Sequence, residues 1–397
     1  MHYLPGLFAA LALAFFLAEG LKRFGVPRVT GEIFAGILLG ISPIREALFP
    51  AGALGEIREF ADIGVVLLFF FVGLDLSLRS LGKNMKESAM VGILNSFLPL
   101  IVGVLIGNAL GLDPMASIVL GIVFSMTSST VTFDLFEETG LLKSRLGIVT
   151  IGSEAISEFI DLMLISVLLV LIQTGQDGVL EMAASLLVFV IIIGISKIVI
   201  IPKLLEVFEA KGSERALFRG ALIITLLMGA LAGFLGISVL IGAFVAGMLV
   251  RRVLLDKESP RAWEKNAIAK SMNIIAFGFF IPIFFVFTGL SVDISDGSSL
   301  ILGFALSLAA IAATTLSSAL GVVLSGRSWR EGILVGLGIT PKGDTDIVVA
   351  SLALSAAVIS PQLFSVIILV ALFTTIIAPI FFRLAAKRWL AEISARD

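Results

Sequence analysis

The residues with the most chemical promise sit in one apolar stretch, 146–172. There Gly152-Ser153-Glu154-Ala155-Ile156-Ser157-Glu158-Phe159-Ile160-Asp161 spaces three carboxylates at i, i+4 and i+7, one stripe of a helix. Leu146 to Glu158 is twelve residues, or about 18 Å at helical rise, which is mid-membrane for a spanning helix. A carboxylate at that depth costs several kcal/mol if it is ionised and uncompensated. It must bind a cation, pair with a base or take up a proton, and a group that alternates between cation and proton can exchange them. A second cluster, Ser125-Met126-Thr127-Ser128-Ser129-Thr130-Val131-Thr132, holds six hydroxyls in eight residues. A third, Gly338-Ile339-Thr340-Pro341-Lys342-Gly343-Asp344-Thr345-Asp346, contains a proline that interrupts any helical ladder. Hydroxyls alone often serve only to bond helices together in membranes. The proline break and charges of the third cluster favour instead a crossing of two unwound segments.

Lys342 is the one base at mid-membrane depth, against six mid-membrane acids: Asp134, Glu154, Glu158, Asp161, Asp344 and Asp346. One ammonium cannot neutralise six carboxylates, so some must be protonated, cation-bound or wet. Glu158 is the leading ion- or proton-binding candidate, with Ser157, Glu154, Asp161, Thr127 and Ser128 around it. Lys342, Asp344 and Asp134 read as structural charges at the helix crossing. Glu32 and Asp75 lie near helix ends and read as packed or solvated.

The elements that hold these groups follow from composition. The chain has 397 residues, 58% hydrophobic and 15% charged, against about 25% charged in an ordinary soluble domain; mean hydropathy is +1.11. Cysteine is absent and His2 is the single histidine. That excludes disulfide scaffolds, thiolate metal sites and Ser-His-Asp chemistry. A net charge of −2 offers nothing to nucleic acid. The expectation is an all-α polytopic membrane protein, a single membrane domain over 1–397 with no soluble regulatory domain, no cofactor and no enzymatic role. An intramembrane aspartyl protease using Asp134 or Asp161 with Asp344 fails, because Pro341 stands where its Gly-x-Gly-Asp signature needs glycine. A passive channel finds no repeated pore loop.

A spanning helix needs roughly 20 mostly apolar residues, and thirteen stretches qualify: 3–21, 28–42, 60–78, 87–110, 114–138, 146–172, 179–202, 216–234, 237–252, 267–292, 299–325, 330–355 and 361–382. The first reads as a helix, not a signal peptide, since Glu19, Lys22 and Arg23 stand where a cleavage site belongs. Segments after odd-numbered spans, with the C-terminal tail, carry 25 of the 28 basic residues. That places the N-terminus outside and the C-terminus in the cytoplasm. Gly31-Glu32-Ile33-Phe34-Ala35-Gly36 matches Gly242-Ala243-Phe244-Val245-Ala246-Gly247, and Phe69-Phe70-Phe71-Val72-Gly73-Leu74-Asp75 matches Phe284-Phe285-Val286-Phe287-Thr288-Gly289-Leu290. Each pair lies seven spans apart, as do the two polar-interrupted spans, the fifth and twelfth. An odd offset inverts the copies: inverted repeats over about 1–173 and 216–390, with a connector helix at 178–207. Such repeats with broken helices point to a secondary transporter whose site lies at the breaks.

Together, in order, these strings resemble the monovalent cation:proton antiporter superfamily, the membrane domain of sodium/hydrogen exchangers. Leu21 to Gly40 looks like that family's opening, and Gly73-Leu74-Asp75, Ser128-Ser129-Thr130 and Pro341-Lys342-Gly343-Asp344 look like its later landmarks. The resemblance implies exchange of Na⁺, or else K⁺, for H⁺ by alternating access in the cell membrane, in a homodimer whose core domain moves against a dimerisation domain. It implies the ion at Glu158, Thr127 and Ser157, with Ser128 assisting. Two departures stand out. Ser157-Glu158 replaces the family's Asp-Asp or Asn-Asp pair, giving Glu154 room to act as a second site. Thr314 and Thr315 stand where many relatives carry a lysine or arginine, which leaves stoichiometry open. The alternative is a sodium-coupled symporter of an organic anion on the same fold, with Lys342 as the anion's anchor.

Overall fold

The computed structural model describes residues 3–23, 26–50, 52–75, 84–174, 179–196, 214–254, 272–294 and 297–394, and every regular element among them is helical. Six of the described helices are long and apolar enough to cross a membrane: Leu4–Lys22, Met85–Ala109, Pro114–Glu138, Met272–Leu290, Ser298–Leu324 and Pro361–Trp389. His2, the connector expected at 178–207 from residue 197 onward, and much of the basic sequence at 203–213 and 255–271 lie outside the described residues.

In chain order the helices are α1 (Leu4–Lys22), α2 (Arg28–Leu39), α3 (Ser42–Leu48), α4 (Ala53–Asp75), α5 (Met85–Ala109), α6 (Pro114–Ser125), α7 (Ser129–Glu138) and α8 (Arg145–Thr174). Then come α9 (Val179–Ile195), α10 (Glu214–Phe234), α11 (Val239–Leu254), α12 (Ile281–Leu290, entered through a wide turn at Ala276–Phe280), α13 (Ser298–Leu324), α14 (Trp329–Ile339), α15 (Asp344–Ser355) and α16 (Pro361–Ser394). Prolines open α6 and α16 at positions where a missing N–H costs nothing. Ser328 caps α14 by accepting from the Glu331 N–H. Two helices outrun their apolar stretches: α4 begins at Ala53 and α16 continues to Ser394. Glu56, Arg58 and Glu59, like Arg383, Lys387 and Arg388, are good helix formers, and a helix does not end merely because hydropathy does.

The chain forms two compact units. The first comprises 1–12, 42–80 and 166–287. In it α4 packs on α11 so closely that a methyl on Gly73 would overlap the Phe244 carbonyl, and one on Gly247 the Phe70 carbonyl. Arg251 of α11 donates to the Leu74 carbonyl at 2.5 Å, placing a cation on the negative end of α4. In the same unit α11 meets α10 through Gly242, which abuts the Met228 carbonyl and Gly229.

The second unit comprises 13–41, 81–165 and 288–397. In it Gly31 of α2 abuts Ala18 of α1, and Gly289 of α12 abuts the Ile33 carbonyl of α2. A buried apolar cluster that includes Val91, Phe136, Leu146, Ile311, Leu334 and Phe382 ties α5, α7, α8, α13, α14 and α16 together. Three helix beginnings meet at Arg145, whose guanidinium donates to Glu87 at 2.6 Å and Glu331 at 2.8 Å. Burial pushes the Arg145 pKa down, but hydrogen bonds and charge from Glu87 and Glu331 outweigh it, so the net shift is upward.

Candidate ion-binding site

Two of the helices just described are halves of interrupted ones. Residues 126–128 separate α6 from α7, and 340–343 separate α14 from α15. The first break follows from chemistry that competes with the ladder, since Ser and Thr hydroxyls bond locally to backbone groups. Ser125 Oγ, for example, lies 2.8 Å from the Ile122 carbonyl. The second break follows from Pro341, which has no N–H to offer.

The two breaks satisfy each other. In an unbroken helix the Ser128 N–H would donate to the Phe124 carbonyl; here it donates to the Pro341 carbonyl at 2.8 Å. The Gly338 carbonyl, which Lys342 N–H would otherwise take, lies 3.0 Å from the Thr132 hydroxyl. The freed Phe124 carbonyl and the neighbouring Met126 carbonyl accept from Lys342 Nζ, at 3.1 and 2.6 Å. Thr375 of α16 donates to the Lys342 carbonyl. Gly343 permits the approach, because a Cβ there would strike the Ser128 side chain. Asp346 accepts from the Gly343 N–H at 2.7 Å and so caps α15.

Of the acid stripe on α8, Glu154 and Asp161 are 1% and 3% exposed, whereas Glu158 is half-buried. Lys342, wholly buried, lies within electrostatic reach of Glu154, Asp161 and Asp346. The Glu154 carboxyl has Thr127 beside it, and its Oε2 is 3.2 Å from the Thr132 hydroxyl. Asp161 Oδ1 is 3.1 Å from the Ser125 hydroxyl. Each of these hydroxyls has one proton and also faces a backbone carbonyl. Glu154 Oε1 and Asp346 Oδ1 are buried with no hydrogen-bond partner, so the site holds unspent acceptor capacity.

The remaining expected site residues fall as follows. Ser128 is buried within the crossing. Ser157 is buried too but faces α5, where it accepts from Asn95 Nδ2 at 3.0 Å and Ser96 Oγ at 3.2 Å and donates to the Gly92 carbonyl at 3.0 Å. A serine hydroxyl has one donor and two lone pairs, so all three are used. Asp344 is half-buried at the start of α15, and Asp134 is on the exposed side of α7, not inside the crossing. Period alone explains the last point, since Asp134 lies two residues beyond Thr132 and so on another face.

Several polar residues join the site that attention to acids and helix breaks passes over. Asn95 and Ser96 on α5, Ser318 on α13, whose hydroxyl donates to Asn95 Oδ1 at 3.1 Å, and Thr375 complete the buried network. Their signal was available: a lone Asn-Ser pair at the middle of an otherwise apolar span must find partners. Thr315 and Thr340 hydroxyls meet at 3.4 Å, so hydroxyl pairing occupies the α13 region where a base was missed.

Residues 8–388 match the family model described as the transmembrane sodium/hydrogen exchanger. A probable Na⁺/H⁺ antiporter of Methanocaldococcus jannaschii is 28% identical over 94% of both chains. A Na⁺/H⁺ antiporter of Enterococcus hirae is 27% identical, also over 94% of both. The Na⁺/H⁺-K⁺ antiporter GerN of Bacillus cereus is 26% identical over 90% of this chain and 89% of its own. Among solved structures, the sodium proton antiporter MjNhaP1 of M. jannaschii superposes with a TM-score of 0.67 over 98% of both chains at 17% identity, a likeness of fold.

Proposed function

The chain belongs to the sodium/hydrogen exchanger family, and we propose that it is a secondary antiporter that trades a monovalent cation, Na⁺ first and K⁺ second, for protons by alternating access. The observation that carries the reading is the crossing of two broken helices beside a stripe of carboxylates, one half-buried and two buried against hydroxyls at the first break. Glu158, the most accessible of the three, binds cation or proton in turn. Glu154 and Asp161, buried more deeply and each accepting from a hydroxyl, stand beside it as further ion or proton sites, with Thr127 and Ser128 lining the approach. Transport needs no cofactor and no catalytic residue. Lys342 spends two of its three N–H donors on backbone carbonyls, which leaves a symporter little with which to anchor an organic anion.

The same reading takes thirteen spans in inverted repeats, in the cell membrane, N-terminus outside and C-terminus inside, as a homodimer. Glycine contacts support the repeat. Gly73 meets the carbonyl of Phe244, two residues after Gly242; Gly289 meets that of Ile33, two residues after Gly31. Gly242 and Gly31 in turn each abut a residue thirteen positions earlier, Gly229 and Ala18. One packing rule thus recurs in matched halves of the sequence.

Purified protein in proteoliposomes with a trapped pH dye tests the proposal across Na⁺, K⁺ and Li⁺ gradients. Wild type moves protons against at least one cation without any organic solute, and Glu158→Gln cuts that flux at least tenfold. Full flux in Glu158→Gln would overturn the assignment of the carrier.

A further inference from the structure

The end of α6 presents the ligands that a broken helix ordinarily gives to a bound monovalent cation: free carbonyls at the negative end of a helix dipole. Phe124 O is free because Ser128 N–H has gone to Pro341. Glu154, Asp161 and Asp346 lie within electrostatic reach of the position without an ion pair to it, and two of their oxygens, Glu154 Oε1 and Asp346 Oδ1, are buried without a hydrogen-bond partner. What occupies the carbonyls is the Lys342 ammonium, at 3.1 and 2.6 Å. An ammonium is a compact point charge, close in size to K⁺, and carbonyl oxygens at these distances replace the hydration shell of such an ion.

We propose that Lys342 is a tethered cation seated in a second monovalent-cation site at the helix crossing, formed by the carbonyls of Phe124 and Met126, with the charges of Glu154 and Asp346 in the surrounding shell. The site's geometry suits K⁺, Rb⁺ or ammonium better than the smaller Na⁺. While the lysine is seated, the cargo ion is confined to the Glu158 side of α8; remove its charge and a free cation enters. The inference rests on the antiporter reading for the nature of the cargo, but its readout is binding, not transport.

The test uses the full chain in detergent and its melting temperature. Lys342→Met keeps the stem and deletes the charge. K⁺ or Rb⁺ at a hundredfold excess over Kd raises the Tm of this variant by about 3 °C. Beyond the wild-type response, which belongs to the Glu158 site, Na⁺ adds less and N-methyl-D-glucamine at equal ionic strength adds nothing. Glu154→Gln in the Lys342→Met background removes the K⁺ response. Lys342→Ala lacks the length of a propylammonium, so n-propylammonium restores its Tm and n-propanol does not. No cation response beyond that of wild type in either variant overturns the proposal. So does a pair of variants that fold in none of these salts, which would make the lysine a covalent strut. If wild type shows cation-driven proton flux and the variants bind nothing, this inference alone fails. A K⁺ response without any wild-type flux sinks the antiporter reading instead.

Discussion

Replacing Ser157 with alanine separates two roles for one hydroxyl. Family resemblance puts this residue on the ion, whereas its contacts put it in a buried network spanning α5, α8 and α13. The substitution deprives Asn95 Nδ2 and the Ser96 hydroxyl of an acceptor, and the Gly92 carbonyl of a second donor. Asn95 keeps its bond from Ser318 through Oδ1, Gly92 O retains the helical ladder, and the Ser96 hydroxyl still has Asp161 beside it, so one orphaned Asn95 N–H dominates the cost. A buried polar group left unsatisfied costs about 1–3 kcal/mol, which puts Ser157→Ala at about 1–3 kcal/mol. With an unfolding entropy of about 2 cal/mol/K per residue, a chain of 397 residues loses roughly 1 °C of Tm per kcal/mol. The expected fall is therefore about 1–4 °C in detergent, with the KM for the driving cation within twofold of wild type. Ser157→Thr keeps the oxygen and recovers most of the loss if its methyl is accommodated. An unchanged Tm together with a tenfold rise in cation KM would refute the argument and return Ser157 to the ion.

Arg145→Gln leaves Glu87 and Glu331 facing each other without their shared guanidinium. Arg145, Glu87 and Glu331 are 19%, 13% and 11% exposed, so the loss approaches the buried-pair cost of about 3 kcal/mol. Chemical denaturation or Tm measures it, and additional replacement of both glutamates by Gln recovers part of it. Gly73→Ala and Gly289→Ala each force a methyl into a facing carbonyl, so both sharply reduce the yield of monodisperse protein on gel filtration. A well-tolerated alanine at either glycine argues against the packing described. Asp346→Asn retains an acceptor for Gly343 N–H and is expected to cost less than about 1 kcal/mol, whereas Asp346→Ala uncaps α15 at about 1–2 kcal/mol.

Much of the site was legible because membrane burial makes polar residues conspicuous. In a chain only 15% charged, Glu154, Glu158, Asp161 and Lys342 stand out, and Pro341 marks a broken helix without any help from packing. The paired Gly motifs likewise announced close helix contacts. Asn95 and Thr375 were harder to weigh, since a lone hydroxyl or amide in an apolar span signals only that some partner exists, not which.

The sequence by itself determined the helical class, the location of both breaks and the stripe of acids, because hydropathy, proline and the 3.6-residue period are local properties. Tertiary structure alone decided who meets whom. It turned Ser157 toward α5, left Asp134 on an exposed face, buried Glu154 and Asp161 deeper than Glu158, and seated the Lys342 ammonium on the Phe124 and Met126 carbonyls. Those outcomes depend on groups from 62 to 218 residues apart in the chain being satisfied at once. No local pattern encodes them: each buried donor takes whichever acceptor the packed helices bring within reach.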